Sequence, residues 1–412
     1  MNRPLALPDW RAPSLPLMAG AIVAPFAAVL QSKAMTPIGL LALVGCVLLA
    51  RLQQHRWPWP RGAASWAGVG LGAWGALTAP WAIDPRRSLS EALTLAGMVL
   101  LAAAAARAVA GDTPAHRRRL GHAVMIGLAL GLLTALLDHL TGNAIRAGVR
   151  GLTEVPASLA FGLKPAASVM ALLLPLLASA DLPSRWRGAA LAAGLVIVLA
   201  IPGDTAKLAA LAGVAVAGMV AWQTAAARGL AALLALVVLA TPLLLGPVIM
   251  AAGPQIERLP PSGIHRLMIW DFALGRAAER PVTGWGMESS RNIPGSDLRP
   301  DDARLARLGV TDGALRAWFA EPHLRLLPLH PHNGPLQIRL ELGWPGSALA
   351  ALAVLLLGLA AARCAIAPAA AGALASAFVT FYASFGAWQN WWLCAAAMAL
   401  VIAAGMKQSS QE

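Results

Sequence analysis

Charge is scarce in this 412-residue chain, and negative charge scarcest. Asp and Glu number 19 against 32 Lys and Arg, and the four types together make up 12% of the residues. A soluble domain carries about twice that charged fraction, so a water-exposed globular body of this size is excluded. Cysteine is almost absent as well. Cys46, Cys364 and Cys394 are the only three, each in or beside an apolar run and none at a metal-ligand spacing. That leaves no disulfide framework and no zinc site to expect. What fills the chain instead is apolar residues, 58% of the total, in runs that recur from end to end. They are too many for one signal peptide and a globular remainder. The expected fold class is an all-α polytopic membrane protein.

The formal charge of +13 first suggests a nucleic-acid partner, but its placement does not. No basic face is interleaved with aromatics. The basic residues sit mostly in short loops between apolar runs, where they set orientation and meet anionic headgroups. Membrane lipids are the expected partner of these charges, and no nucleic acid is expected.

Hydropathy predicts about twelve spans. They lie near residues 15–31, 36–50, 63–81, 88–106, 120–138, 156–180, 188–202, 206–222, 229–251, 346–362, 366–385 and 388–405. Many are rich in Ala and Gly, which lets helices approach closely where lipid gives no hydrophobic drive to pack. The Lys/Arg bias puts Arg3, Arg11, Arg51, Arg56, Arg61, Arg107, Arg117, Arg118, Arg119, Arg185, Arg187, Arg228, Arg363 and Lys407 on one side. These are about fourteen residues against about six opposite, so both termini are expected in the cytoplasm. The predicted organisation is a membrane domain of nine spans over 1–251, a loop outside the membrane over 252–345, and three last spans with a short tail over 346–412.

The loop reads as short helices. Ser262 is a candidate cap for a helix that stops before Pro281; others are expected at Asp301 to Gly309, at Thr311 to Pro322, and at about Pro335 to Leu342. Trp270, Trp285 and Trp318 suit elements lying at a membrane interface. The loop closes on His330-Pro331-His332-Asn333, with Arg339 and Glu341 close behind. Polar groups crowded at a bilayer boundary are expensive to desolvate and mark a candidate site. His332 and Asn333 would sit just ahead of a helix N-terminus, where free N–H groups and the helix dipole favour an anion such as phosphate.

These residues resemble the O-antigen ligase family. His332-Asn333, nine residues, Gly343, two residues and Gly346 match that family's His-Asn and spaced Gly signature, and Gln337 and Glu341 fall where the superfamily often has them. Arg266 with Ile269-Trp270, then Pro281 and Gly284-Trp285-Gly286, is similar to the segment that opens the family's periplasmic loop. Trp81-Ala82-Ile83-Asp84-Pro85 resembles its third-span exit. The likeness covers roughly the second half of the chain. It implies a metal-independent glycosyltransferase of the bacterial inner membrane, without cofactor. Such an enzyme moves a glycan from undecaprenyl pyrophosphate to the lipid A-core oligosaccharide on the periplasmic side.

Carried over by motif, His332 is the catalytic candidate, as a base or as the group that orients the acceptor hydroxyl. Arg266 and Lys207 are candidate diphosphate ligands. Lys207 departs from the arginine usual in the family and loses the bidentate geometry. Asn333, Arg291 and Arg150 are further substrate-binding candidates, and Arg86 and Arg87 lie on the same side. Against these stand structural readings: snorkelling for Arg266 and Lys207, helix capping for Asn333 and His332, and for Glu341 a helix-face pairing with Arg339 or with a Lys or Arg elsewhere. Lys164, inside the sixth apolar run and followed by Pro165, implies a kink or a cavity. The alternative to a ligase is an O-antigen polymerase using the same donor. A protein O-oligosaccharyltransferase, whose chains run on longer past the last span, and a lipid-oligosaccharide flippase are more remote.

Overall fold

The computed structural model describes residues 12–179 and 182–406, and the described chain is helical without a strand. Arg3, Arg11 and Lys407, used above for orientation, lie outside the described residues, as does the tail that follows. The first half holds α1 (Leu15–Leu30), α2 (Met35–Gln54), α3 (Ala63–Leu77), α4 (Pro85–Ala110), α5 (Pro114–Leu140), α6 (Ala144–Val149), α7 (Leu163–Leu173), α8 (Ser184–Ala200) and α9 (Asp204–Trp222). The second holds α10 (Ala226–Ala252), α11 (Pro261–Glu279), α12 (Asp302–Arg307), α13 (Gly313–Phe319), α14 (Gly334–Ala362), α15 (Ala367–Ala383) and α16 (Asn390–Gly405).

Every apolar run is helical, but among the described residues seven segments are long and apolar enough to cross a membrane. Three shorter apolar helices, α1, α15 and α16, accompany them. This is a multi-pass membrane protein in which several runs are shortened or broken. The run near 156–180, itself one of the seven, is continuous in hydropathy but broken in its backbone. It divides into a 3-10 turn (Ala157–Gly162), α7, and a second 3-10 stretch (Leu174–Ser179) containing Pro175. Pro165 falls in the first turn of α7, where a missing N–H costs nothing. Lys164 beside it is exposed, with its ammonium 4.5 Å from the Phe161 ring centre. The break places the lysine at the start of α7, within the candidate span Ala157–Ser179.

The termini of other helices follow ordinary capping chemistry. Asp84 and Thr113 accept the N–H groups of Arg87 and His116, and each is followed by Pro at the first helical position. Small residues set the closest approach. α1 packs along α5, and a Cβ on Gly127 would lie 2.0 Å from the Ala21 carbonyl. α9 runs along α15, α10 along α14, and α3 against both α4 and α14.

The segment between α10 and α14 folds as short helices. α11 begins at Pro261, with Pro260 rather than Ser262 at the cap position, so Ser262 lies in the first turn. Asp301 and Asp312 cap α12 and α13. Two apolar clusters seat these elements: Ile264, Leu267, Met268, Leu305 and Phe319 reach Ile249 of α10, and Ile269, Phe272, Trp285 and Leu326 meet Leu336 and Leu340 of α14.

α14 bends at Gly343, whose backbone (φ 65, ψ −166) is not helical. A Cβ there would strike the Val282 carbonyl at 2.0 Å. The bend, with Pro345 lacking an N–H, frees the carbonyls of Leu340, Glu341 and Leu342 from helical partners. Trp285 N–H, Gly286 N–H and the Trp74 indole N–H take them at 3.1, 2.9 and 2.8 Å, and Trp344 N–H returns to the Pro281 carbonyl at 3.0 Å. Gly284 makes this docking possible, since a side chain at its φ of +63 would overlap the Glu341 carbonyl. The Gly-Trp-Gly and Gly-Trp-Pro-Gly stretches are thus two halves of one joint.

Candidate active site

Asn333 caps α14, as its position predicts. Its backbone is extended, and its Oδ1 accepts the Leu336 N–H at 2.9 Å. Its amide nitrogen is fully buried without a partner, an uncommon state for a polar atom. His332, one residue earlier, has the left-handed backbone (φ 54) that a non-glycine residue rarely adopts.

The His332 ring meets the far end of α15. Its Nδ1 lies 2.6 Å from the Ser384 carbonyl. A carbonyl only accepts, so Nδ1 carries the proton and Nε2 keeps its lone pair. Ala383, the last residue of α15, offers its carbonyl to Arg266 Nη1 at 3.0 Å and to Thr205 Oγ1 at 3.3 Å. These carbonyls have no onward helical N–H, and the helix dipole makes this end favourable to cations. Lys207 stands one turn into α9, its ammonium 3.7 Å from Asp204. Two segments distant in sequence thus bring His332 and Arg266 to one helix end, and Thr205 sets the start of α9, two residues before Lys207, against the same end. The backbone of Lys164 packs beside the start of α9, its Cα 3.5 Å from where a Cβ on Gly203 would stand.

His330 packs 4.3 Å from His332, ring centre to ring centre, and its Nδ1 accepts the His332 N–H at 3.1 Å. Burial first, then the nearby charges of His332, Arg291 and Arg266, push its pKa down to about 3. His332 is also lowered from the usual histidine range, by burial foremost, with the Ser384 carbonyl acting in the other direction and the Arg266 charge depressing it further. Both rings are held neutral, which His332 needs if Nε2 is to accept a proton. His265 has its own place: Nε2 contacts the Arg325 carbonyl at 2.8 Å, and the ring packs between Trp318 and Phe319.

Glu341 overturns the expectation of an ion pair with Arg339. Arg339 instead donates to the Ala277 carbonyl and lies over the Trp344 ring at 4.5 Å. Glu341 is fully buried and receives five donors. Glu288 N–H (2.7 Å) and the Trp388 indole N–H (2.6 Å) reach Oε2, while Ser290 N–H (3.3 Å), the Ser290 hydroxyl and Gln337 Nε2 (3.1 Å) reach Oε1. The same Gln337 accepts the Ala387 N–H at 2.8 Å through its Oε1. One carboxylate thus ties the loop of Glu288 to Arg291 and the turn between α15 and α16 onto α14. Arg291 is held at 2.7 Å by Glu288, and its charge acts on His330. Arg87, at the start of α4, also reaches Glu288, at 3.8 Å.

Arg150 is not drawn in. It is exposed after α6, and its Nη2 donates to the Leu30 carbonyl at the end of α1. Sequence reasoning missed Thr205, the carbonyls of Ala383 and Ser384, and Trp388, which carry no motif; backbone carbonyls have no sequence signal at all.

A family model described as O-antigen ligase matches residues 188–351, a stretch that includes Lys207, Arg266, Arg291, His332 and Glu341. A protein of Rickettsia typhi named as a candidate polysaccharide ligase is 34% identical over 146 residues, covering 34% of this chain and 32% of that protein. Its counterpart in Rickettsia prowazekii is 33% identical over the same length and shares. A third, from Rickettsia conorii, is 39% identical over 83 residues, 20% of this chain and 16% of the relative. The match to these relatives thus spans about a third of their length or less. No solved structure matches the chain significantly.

Proposed function

We propose, on the premise that residues 188–351 form a domain of the O-antigen ligase family, that this protein transfers a glycan from undecaprenyl pyrophosphate to the lipid A-core oligosaccharide. The reaction takes place on the periplasmic face of the bacterial inner membrane, with both chain termini in the cytoplasm. The observation that carries the reading is the pairing of His332 and Arg266 on the adjacent carbonyls of Ser384 and Ala383.

The acceptor hydroxyl attacks the anomeric carbon of the donor sugar. The new glycosidic bond forms as the bond from that carbon to the pyrophosphate oxygen breaks, and undecaprenyl pyrophosphate leaves. His332 Nε2 takes the hydroxyl proton, a role open to it because Nδ1–H is committed to Ser384. Arg266 and Lys207 receive the diphosphate, whose charge rises as the bond breaks. Arg291 supports that charge from the loop, and Asn333 with its free amide nitrogen holds a sugar or phosphate oxygen. Pyrophosphate is a good leaving group, so positioning and charge stabilisation suffice, and neither metal nor cofactor is required. Arg150, tied to α1, serves at most to draw the anionic lipid head toward the site.

The test is the glycolipid profile of a deletion strain carrying the wild type or His332→Ala. A ligase leaves bare lipid A-core and accumulates long lipid-linked polymer when His332 is lost. Core bearing a single repeat in the mutant would identify a polymerase instead, and full transfer by His332→Ala would remove the catalytic assignment. Transfer by purified protein should persist in excess chelator.

A further inference from the structure

The end of the bundle opposite to His332 carries a second site. α4 spans 26 residues from Pro85 to Ala110. Its first turn adjoins Arg87 and Glu288, so its last turn lies about 39 Å away. There a cleft of about 440 Å³ opens between the α2–α3 connection and the end of α4. It is lined by Gln54, Arg56, Trp57, Trp59, Arg61 and Arg107, together with Pro58, Ala110 and Gly111.

No carboxylate lines the cleft. The arginines around the larger cleft between α10 and α11 are different: Arg304 and Arg307 pair with Asp271, and Arg276 pairs with Glu279. The acid that follows Gly111, Asp112, is engaged by Ser14 and lies beside His116. Among the described residues no ion pair is formed by Arg56, Arg61 or Arg107. Converging guanidinium groups without a counter-charge repel one another, and a phosphate relieves that repulsion while accepting forked hydrogen bonds.

The cleft also has an apolar rim. Trp57 and Trp59 are 51% and 72% exposed. Indoles so placed belong at the level where headgroups meet acyl chains. Trp57 is further fixed by Arg51, whose guanidinium lies 5.8 Å from its ring centre. An anion with a hydrocarbon tail satisfies both parts of the cleft, whereas free phosphate satisfies only the arginines.

We propose that this cleft binds the phosphodiester headgroup of an anionic phospholipid in the leaflet opposite to the candidate active site. The inference does not depend on the transfer reaction.

The test uses full-length protein in detergent. Thermal unfolding is followed while short-chain phosphatidylglycerol, short-chain phosphatidylcholine or inorganic phosphate is added. Saturable stabilisation by phosphatidylglycerol is expected, with little from phosphatidylcholine. Removing each arginine should weaken it about fivefold, so Arg56→Gln, Arg61→Gln and Arg107→Gln together should abolish it. A second triple variant, Arg185→Gln, Arg187→Gln and Arg228→Gln, removes equal charge outside the cleft and should leave it intact. Equal stabilisation by inorganic phosphate would overturn the lipid assignment in favour of a free-phosphate site. Indifference between the two lipids, or equal loss in both triple variants, would overturn the site altogether. The comparison of ligands on wild-type protein stands even if the first variant fails to fold.

Discussion

Replacing Glu341 by Gln changes one oxygen into an NH₂ group and almost nothing in volume. All five groups facing the carboxylate are donors, so the new NH₂ must face donors wherever it turns. Toward Glu288 N–H and the Trp388 indole it loses both bonds. Toward the other side it loses Ser290 N–H and Gln337, while the Ser290 hydroxyl can rotate to accept. Two bonds to a charged acceptor are lost in either pose, at about 1.5–3 kcal/mol each. Relief from burying a charge offsets part of this, leaving about 3 kcal/mol of destabilisation. Trp388→Phe removes one donor and should cost about 1–2 kcal/mol. In the double variant the NH₂ occupies the space vacated by the indole N–H, so the double should be more stable than the sum of the singles by about 1.5 kcal/mol. Denaturant unfolding of purified wild type, both singles and the double measures this. Transfer by Glu341→Gln, assayed at a temperature where it remains folded, should fall as the Glu288–Arg291 loop loosens. A Glu341→Gln protein as stable and active as wild type, or strictly additive singles, would refute the role given to this carboxylate.

Other perturbations probe the remaining parts. His332→Ala should lower transfer about 10²–10⁴-fold, the usual range for a positioned base, with the protein still present in the membrane at normal level. Arg266→Ala should raise the donor KM, and Arg266→Lys should restore only part, because an ammonium cannot hold the Ala383 carbonyl and a phosphate in the same forked geometry. Gly343→Ala should destabilise by about 3 kcal/mol or more, from its positive φ and the clash with Val282, read as lower yield and lower melting temperature. His330 supplies a pH test. Its folded pKa of about 3 lies below the unfolded value of about 6.5, so the unfolded chain takes up the proton first as pH falls. Stability should therefore be flat above about pH 6.5 and decline toward pH 3. His330→Asn keeps an acceptor but does not titrate, and its melting temperature should decline less over that range; an equal decline would contradict the burial argument.

Local rules in the sequence were enough for the all-helical, membrane-crossing character. Apolar runs longer than any soluble helix needs admit no other reading. Asn333 as cap, the break at Gly343 and the Asp301 cap of α12 were legible because capping, proline and glycine act within one turn of themselves, whereas α13 is capped by Asp312 one residue after the expected start at Thr311. The His-Asn and Gly motif singled out the loop end at which Asn333 caps α14. Tertiary structure alone decided the partners. Glu341 seemed matched to Arg339 by helical proximity, yet five donors from two other segments occupy it, because a buried carboxylate gains more from fixed N–H groups than from one nearby cation. Lys164, within a candidate span, stands at the start of α7 because the chain breaks into 3-10 turns around it. Ser262 yielded the cap position to Pro260, and Arg150 turned away to α1. The contacts that join His332 to Arg266 have no trace in the sequence, since what holds the two is a pair of backbone carbonyls at the end of α15. Every residue carries that group, and only packing determines which are left without a helical partner.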